Sequence, residues 1–484
     1  MKKILLRGCA GLLAFLLTAA LFLWFHQVFN YKYYDGPSQV AAFYQQPENT
    51  VDVLNMGSSR IFMNVNPAVL WETYGIASFD LCAGAQPLWN TYYFLEEALK
   101  TQSPRVIVLD TYFACLAEEY SNEVPRDIKS LFPLKLSLTK LRALQASIPT
   151  ERLGPMGMEF FQYHGRYQEL DRNDFTNTQV EYLFAPDNPD ILSSWKGYVC
   201  NFALTPFEKR TDKVAKTECV ELYPKVEEYL RKIIELAQSK NIDVLLVQAP
   251  FPDNQHDYPE IMNSVARLAA EYGVPFVDFD ASCRDQMDYS TDFADNFHLS
   301  PSGAARYSGI LGGYLKEHYD LPDRRGEAGY ESWDTFAVCY HSRISDQQLH
   351  SAWTDLTGYL ELLAALPENY EILFSLDGTY ADGSVDFATI LTPFGISCEG
   401  SDAGKWIVHP DGEVSAADEG GVNYPLTIAD EDLEIVADAV GIYRDGQPYV
   451  KADNGLTVIV YDPNNHSVPD AVRFDASTGF AMVR

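Results

Sequence analysis

Basic residues, histidine and clustered cysteine are all scarce in this chain. Its 484 residues carry 36 Lys and Arg against 68 Asp and Glu, a net charge of −32. A field of that sign repels DNA, RNA and anionic headgroups, so a nucleic-acid function is disfavoured. The 9 histidines and 8 cysteines form no CxxC or Cys/His cluster, so no metal and no cofactor is expected. An odd set of cysteines lies beyond the N-terminal segment: Cys82, Cys115, Cys200, Cys219, Cys283, Cys339 and Cys398. Cys200 and Cys219 are candidates to pair, but isolated buried thiols are the preferred reading. Tandem repeats and low-complexity tracts are absent.

Long hydrophobic runs are equally scarce, and the chain has one. Lys2, Lys3 and Arg7 precede an uncharged stretch from Gly8 to Phe25. As a helix it extends about 27 Å, close to the hydrocarbon core of a bilayer. The basic flank places the N-terminus inside, and Trp24 stands where an interfacial anchor belongs. The residues that follow are bulky and offer no small-x-small cleavage site, although a cleaved signal peptide is the alternative. The expectation is a cytoplasmic stub and transmembrane anchor over residues 1–30, with an extracytoplasmic body beyond.

That body is too long for one core. Over 48–320, short apolar runs alternate with helical patterns, which predicts an α/β domain with a parallel sheet and helices on both faces. The expected strands are 51–56, 78–83, 105–110, 243–249 and 275–279. Helices are expected over 221–240, around 261–272 and after Pro301, and a long aromatic insertion over about 112–220. Residues 321–329, LPDRRGEAG, have linker composition. The remainder, 330–484, reads as an α+β or β-rich domain with one helix near 351–366.

The first strand ends in Gly57-Ser58-Ser59-Arg60, and a serine beyond the C-terminal end of a sheet strand lies where open α/β folds place their sites. Alone, GSSR would serve equally well as a helix cap. Its counterpart is Asp295-Asn296-Phe297-His298, just before the last helix of the same domain. A carboxylate three residues before a histidine can hold one ring nitrogen, leaving the other to take a proton from a serine hydroxyl. The bland reading of DxxH is a turn capping the next helix, and both readings can hold at once.

With the strand-GSS block early and DNFHLSPSGA late, the chain resembles the SGNH (GDSL-like) hydrolase superfamily over about 48–320. It is most similar to the envelope acyltransferase branch, with the D-alanyl transfer and alginate O-acetylation proteins. The resemblance implies a flavodoxin-like sheet and a triad of Ser59, Asp295 and His298. It also implies an oxyanion hole from the N–H of Ser59 and a turn after strand two, where Gly84 and Ala85 are rivals. The family's asparagine after strand three is missing, since the chain reads VLDTYFACL there. Asn90 and Gln248 are candidate replacements, and Arg60, His164 and Arg166 candidate substrate contacts. For Arg60 an ordinary salt bridge, and for His164 and Arg166 a self-packed loop, is preferred.

In the C-terminal part, 360–382 and 454–475 resemble the interleukin-like EMT inducer domain, through Gly455-Leu456-Thr457-Val458 and Phe474-Asp475 with its halves in swapped order. That resemblance implies glycan recognition. The expected function is acyl transfer or ester hydrolysis on O-acyl groups, O-acetyl foremost, of an envelope or secreted polysaccharide. A transferase would take its acyl group from a membrane O-acyltransferase partner. The alternative is a non-catalytic SGNH-like scaffold or glycan-binding protein.

Overall fold

A computed structural model describes residues 2–29, 37–120, 128, 130–152, 164–168, 170, 174–175, 196–209, 216–252, 258–366, 370–377, 385–398, 403–417, 425–430, 433–438, 440–452 and 454–484. They form two compact units, which divide between Ala337 and Val338. The N-terminal helix runs Lys2–Phe29 and exposes Leu12, Leu13, Phe15, Leu16, Leu17 and Leu21. Counted over the described residues alone, no helix is long and apolar enough to cross a membrane.

The first unit is built on five parallel strands: β1 (Val53–Met56), β2 (Ser78–Asp80), β3 (Val106–Asp110), β4 (Asp243–Gln248) and β5 (Phe276–Asp278), in the order β2-β1-β3-β4-β5. This is the doubly wound, flavodoxin-like order. β1 and β3 are buried throughout, as expected of apolar strands covered on both faces. The flanking helices include Pro67–Tyr74, Leu88–Ala98, Pro224–Ser239, Pro259–Tyr272 and Pro301–His318. The helix Pro224–Ser239 buries Val226, Leu230, Ile233, Ile234 and Ala237 at helical spacing. Described parts of the insertion include the helix Leu138–Ser147 and a returning segment whose Lys196 carbonyl accepts the Asp80 N–H at 2.8 Å.

The stretch read as a linker is held down within the first unit. Arg324 clasps Asp52 with both arms, at 2.8 and 3.1 Å, and its N–H reaches the Gly75 carbonyl at 3.0 Å. Its charges, which looked like linker composition, are paired. In the helix Glu331–Ser351 that follows, the apolar stripe Trp333, Phe336, Ala337 and Tyr340 gives way to polar residues in the second half, and the helix adds to the one expected near 351–366, observed as Leu356–Ala365. Trp333 from its first turns is fully buried and donates to the Ser78 carbonyl at 3.0 Å.

The second unit is β-rich. Six strands run in the order β15-β14-β13-β6-β7-β8: Ala481–Val483, Ser467–Asp475, Gly455–Asp462, Glu371–Asp377, Gly404–Val408 and Val414–Ala416. A second sheet of four antiparallel strands spans Leu426–Pro448. Leu456 and Phe474, from the two motifs singled out in the sequence, are antiparallel partners and are buried. Cys200 is buried and Cys219 is exposed, and no disulfide forms among the described residues.

Candidate active site

At the C-terminal end of β1 the chain must turn at once into a short helix, Ser59–Phe62. Gly57 makes that turn with φ +149°, and a Cβ there would stand 3.0 Å from Ile61 Cγ1 and 3.1 Å from Asp110 Cβ. Only glycine adopts such backbone cheaply. Ser58 is the N-cap, its hydroxyl accepting the Arg60 N–H at 3.4 Å. The two adjacent serines therefore divide the work. Ser58 is buried and structural, whereas Ser59 is partly exposed on the strand edge.

The histidine arrives on a tight hairpin. Phe293 and Leu299 form an antiparallel bridge, and the N–H of Ala294 donates to the His298 carbonyl at 3.0 Å. Ser300 then caps the helix Pro301–His318. Gly303 is required in its first turn, because a Cβ there would lie 2.0 Å from the Asp292 carbonyl oxygen. Inside the hairpin, Asp295 Oδ1 accepts the N–H groups of Phe297 (2.7 Å) and His298 (3.0 Å). Its Oδ2 lies 2.8 Å from His298 Nδ1, and His298 Nε2 lies 2.8 Å from Ser59 Oγ.

Three residues from the two ends of the domain thus form a continuous Asp–His–Ser hydrogen-bonded row. With Nδ1–H donating to Asp295, Nε2 is left to accept the Ser59 proton. Burial pushes the Asp295 carboxyl up. The His298 hydrogen bond and charge, with the Phe297 and His298 N–H groups, more than offset this, and the carboxyl sits below its ordinary range.

The turn holding Gly84 and Ala85 follows β2, neighbour of β1, so it stands on the same sheet edge as Ser59. Ala85 takes φ +52°, and both residues are partly exposed.

Of the remaining candidates, Asn90, Gln248 and Arg60 are buried, and the structure does not test His164 and Arg166. Asn90 is fully buried and accepts the Ser147 hydroxyl at 2.6 Å, between two helices. Gln248 is buried at the end of β4, in register with Asp278. Arg60 is 1 % exposed, with its guanidinium turned inward beneath the edge, so it cannot meet an anionic substrate. His164 and Arg166 fall in a turn, His164–Gln168, and their side chains lie outside the described residues.

Sequence reasoning missed Asn64 and Asp110. Asn64 Oδ1 accepts the N–H of Leu299 at 2.9 Å, next to the histidine, and no local pattern announces this. Asp110 ends the apolar strand β3, where a lone buried carboxylate could have signalled an internal partner.

Fold and site together define an α/β protein with a Ser-His-Asp row at the C-terminal edge of a parallel sheet. No protein-family model and no curated protein matches the chain. Among solved structures, it is similar to a protein from Desulfitobacterium hafniense DCB-2 described as lipolytic and of the G-D-S-L family. Identity is 12%, the TM-score is 0.27, and the match covers 55% of this chain and 98% of that one.

Proposed function

We propose that the chain is an SGNH-type serine hydrolase or acyltransferase that forms an acyl-Ser59 intermediate. The observation carrying this reading is the unbroken row Asp295–His298–Ser59, with 2.8 Å on each side of the imidazole. Ser59 Oγ attacks the acyl carbonyl as its proton passes to His298 Nε2. The imidazolium then protonates the leaving oxygen. Water or a sugar hydroxyl, deprotonated in turn by His298, releases the acyl group. The backbone N–H of Ser59 and one from the Gly84–Ala85 turn are the candidate oxyanion donors.

Substrate and setting belong to the same proposal. The acyl group is an O-acetyl or similar group on an envelope or secreted polysaccharide. Support comes from the Phe297 ring, partly exposed and 6.2 Å from the His298 ring, which suits the face of a sugar. The C-terminal unit would hold the glycan, and a membrane O-acyltransferase would supply the acyl group. The apolar N-terminal run would anchor the chain in the membrane with its body outside, as its exposed leucines suggest.

The test is fluorophosphonate labelling of the full chain in detergent, with the modified peptide identified by mass spectrometry. Label on the Ser59 peptide, lost in Ser59→Ala and His298→Ala, is the expected result. Ser415 is an internal control. Its hydroxyl lies 2.8 Å from His409 Nε2, and Glu371 lies 2.9 Å from His409 Nδ1, yet its backbone is paired in the β7–β8 ladder. Lacking a turn or helix start to supply an oxyanion donor, Ser415 should stay unlabelled. Absence of label on Ser59 in folded protein would defeat the catalytic reading and leave a glycan-binding scaffold.

A further inference from the structure

We propose that Arg60 is a positioning residue for the chemistry of Ser59, tying the nucleophile's turn to the loop that carries His298. The inference rests on the serine-hydrolase reading. The Arg60 side chain reaches three segments at the sheet's C-terminal edge. Nη1 donates to the Phe297 carbonyl at 3.1 Å and Nη2 to the Ala249 carbonyl at 2.7 Å. Nε stands 3.6 Å from Asp110 Oδ1. The guanidinium carbon lies 3.7 Å from the centre of the Phe251 ring and 5.2 Å from that of Tyr112. Asp110 is itself fixed, its oxygens accepting the N–H groups of Tyr112 (3.1 Å) and Ala249 (3.3 Å).

The consequence lies in which residues are gripped. Phe297 directly precedes His298, and Leu299 directly follows it. Arg60 holds the first by its carbonyl and Asn64 the second by its N–H, at 2.9 Å. Both clamps come from the segment that carries Ser59. The histidine loop is therefore referenced to the nucleophile itself, from both sides.

A planar guanidinium matches this task and an ammonium does not. It donates to two carbonyls in fixed directions and faces a carboxylate at 3.6 Å while lying over an aromatic ring. Arg60 and Asp110 are 1 % and 2 % exposed, so neither is there to meet solvent or substrate. A displacement of about 1 Å between reacting groups can cost on the order of 10²-fold in rate without weakening binding.

The experiment follows phosphonylation kinetics of the full chain, separating the maximal labelling rate from the probe concentration giving half that rate. Arg60→Lys keeps the charge but loses the fork. The expected result is a maximal rate lowered about 10- to 100-fold, with half-saturation within about twofold of wild type. Because Arg60→Lys could fail to fold, Asn64→Ala tests the other clamp, with an expected loss of about 10-fold in maximal rate and none in half-saturation. Arg324→Lys, which breaks the Asp52 clasp away from the site, controls for lost stability and should label at the wild-type rate.

Folded Arg60→Lys, or where it does not fold Asn64→Ala, reacting at the wild-type rate would overturn the positioning role and leave the hydrolase reading standing. So would a loss matched by Arg324→Lys. Wild-type chain that never labels would sink both.

Discussion

Replacing Asp295 by asparagine separates two duties of one carboxylate. Oδ1 holds the N–H groups of Phe297 and His298, at 2.7 and 3.0 Å, and lies 3.0 Å from His298 Nδ1, while Oδ2 stands closer to that nitrogen, at 2.8 Å. Asparagine keeps one oxygen. If that oxygen stays with the two backbone donors, the amide NH₂ faces His298 Nδ1. The ring must then accept there, and its proton moves to Nε2, which can no longer take the Ser59 proton. By analogy with triads in which this tautomer change was isolated, turnover should fall about 10³- to 10⁴-fold, or roughly 4–5.5 kcal/mol of barrier. The lower end is favoured because the Asp295 side chain is 45% exposed and water can share its role. Asp295→Ala should be worse, since it also abandons both backbone N–H groups, at about 1 kcal/mol each.

The assay is hydrolysis of an activated aryl acetate beside phosphonylation of Ser59. The carboxyl's folded value is depressed below its ordinary 3.8, so what it contributes is complete above that value and lost only as pH falls through the depressed one. Wild-type protein should therefore keep the loop's order to lower pH than free carboxylates would suggest, and Asp295→Asn should lack that acid dependence. An Asp295→Asn enzyme with more than about a tenth of wild-type turnover would refute the tautomer argument.

Two further changes test the frame. Gly57→Ala forces a Cβ into a φ of +149° against Ile61 and Asp110, so it should lower unfolding stability by roughly 1–3 kcal/mol and abolish Ser59 labelling, read by denaturant melts and probe. In the second unit, Asp346 is held protonated, its carboxyl pushed up to about 9 by burial first and by Asp462 second. The folded value exceeds the unfolded one, so between about 4 and 9 the folded state keeps a proton the unfolded state has lost. Stability of this unit should fall with rising pH across that window, by at most about 1.4 kcal/mol per pH unit. Asp346→Asn should flatten the dependence, and parallel wild-type and variant melts at pH 5 and 8 would contradict it.

What was legible in the sequence was local or periodic. Five apolar runs marked the strands, most clearly β1 and β3, because a strand buried on both faces needs continuous hydrophobicity. Gly57-Ser58-Ser59 and the Asp295–His298 spacing were readable because a tight turn and a DxxH hairpin each need their residue types within a few positions. The helix Glu331–Ser351 was not, since its apolar stripe of Trp333, Phe336, Ala337 and Tyr340 ends after two turns and the next buried positions are the polar Ser342, Arg343, Ser345 and Asp346. Nor did composition reveal that Arg324 and its neighbours are docked, because a paired charge and a solvated one look alike in sequence.

The roles of single polar residues came from the tertiary structure. Arg60, Asn90 and Gln248 carry donors that sequence alone could assign to a substrate, but burial turns all three inward. Asn64 and Asp110 reach partners in chain segments more than a hundred residues away, Leu299 and Ala249. The sequence by itself determined the order of strands and helices and the residue types at each turn, through turn chemistry and hydrophobic period. Only the fold decided that a serine at the end of β1 and a histidine on a hairpin 239 residues later come within 2.8 Å, because the parallel sheet gathers the C-terminal ends of all its strands on one edge.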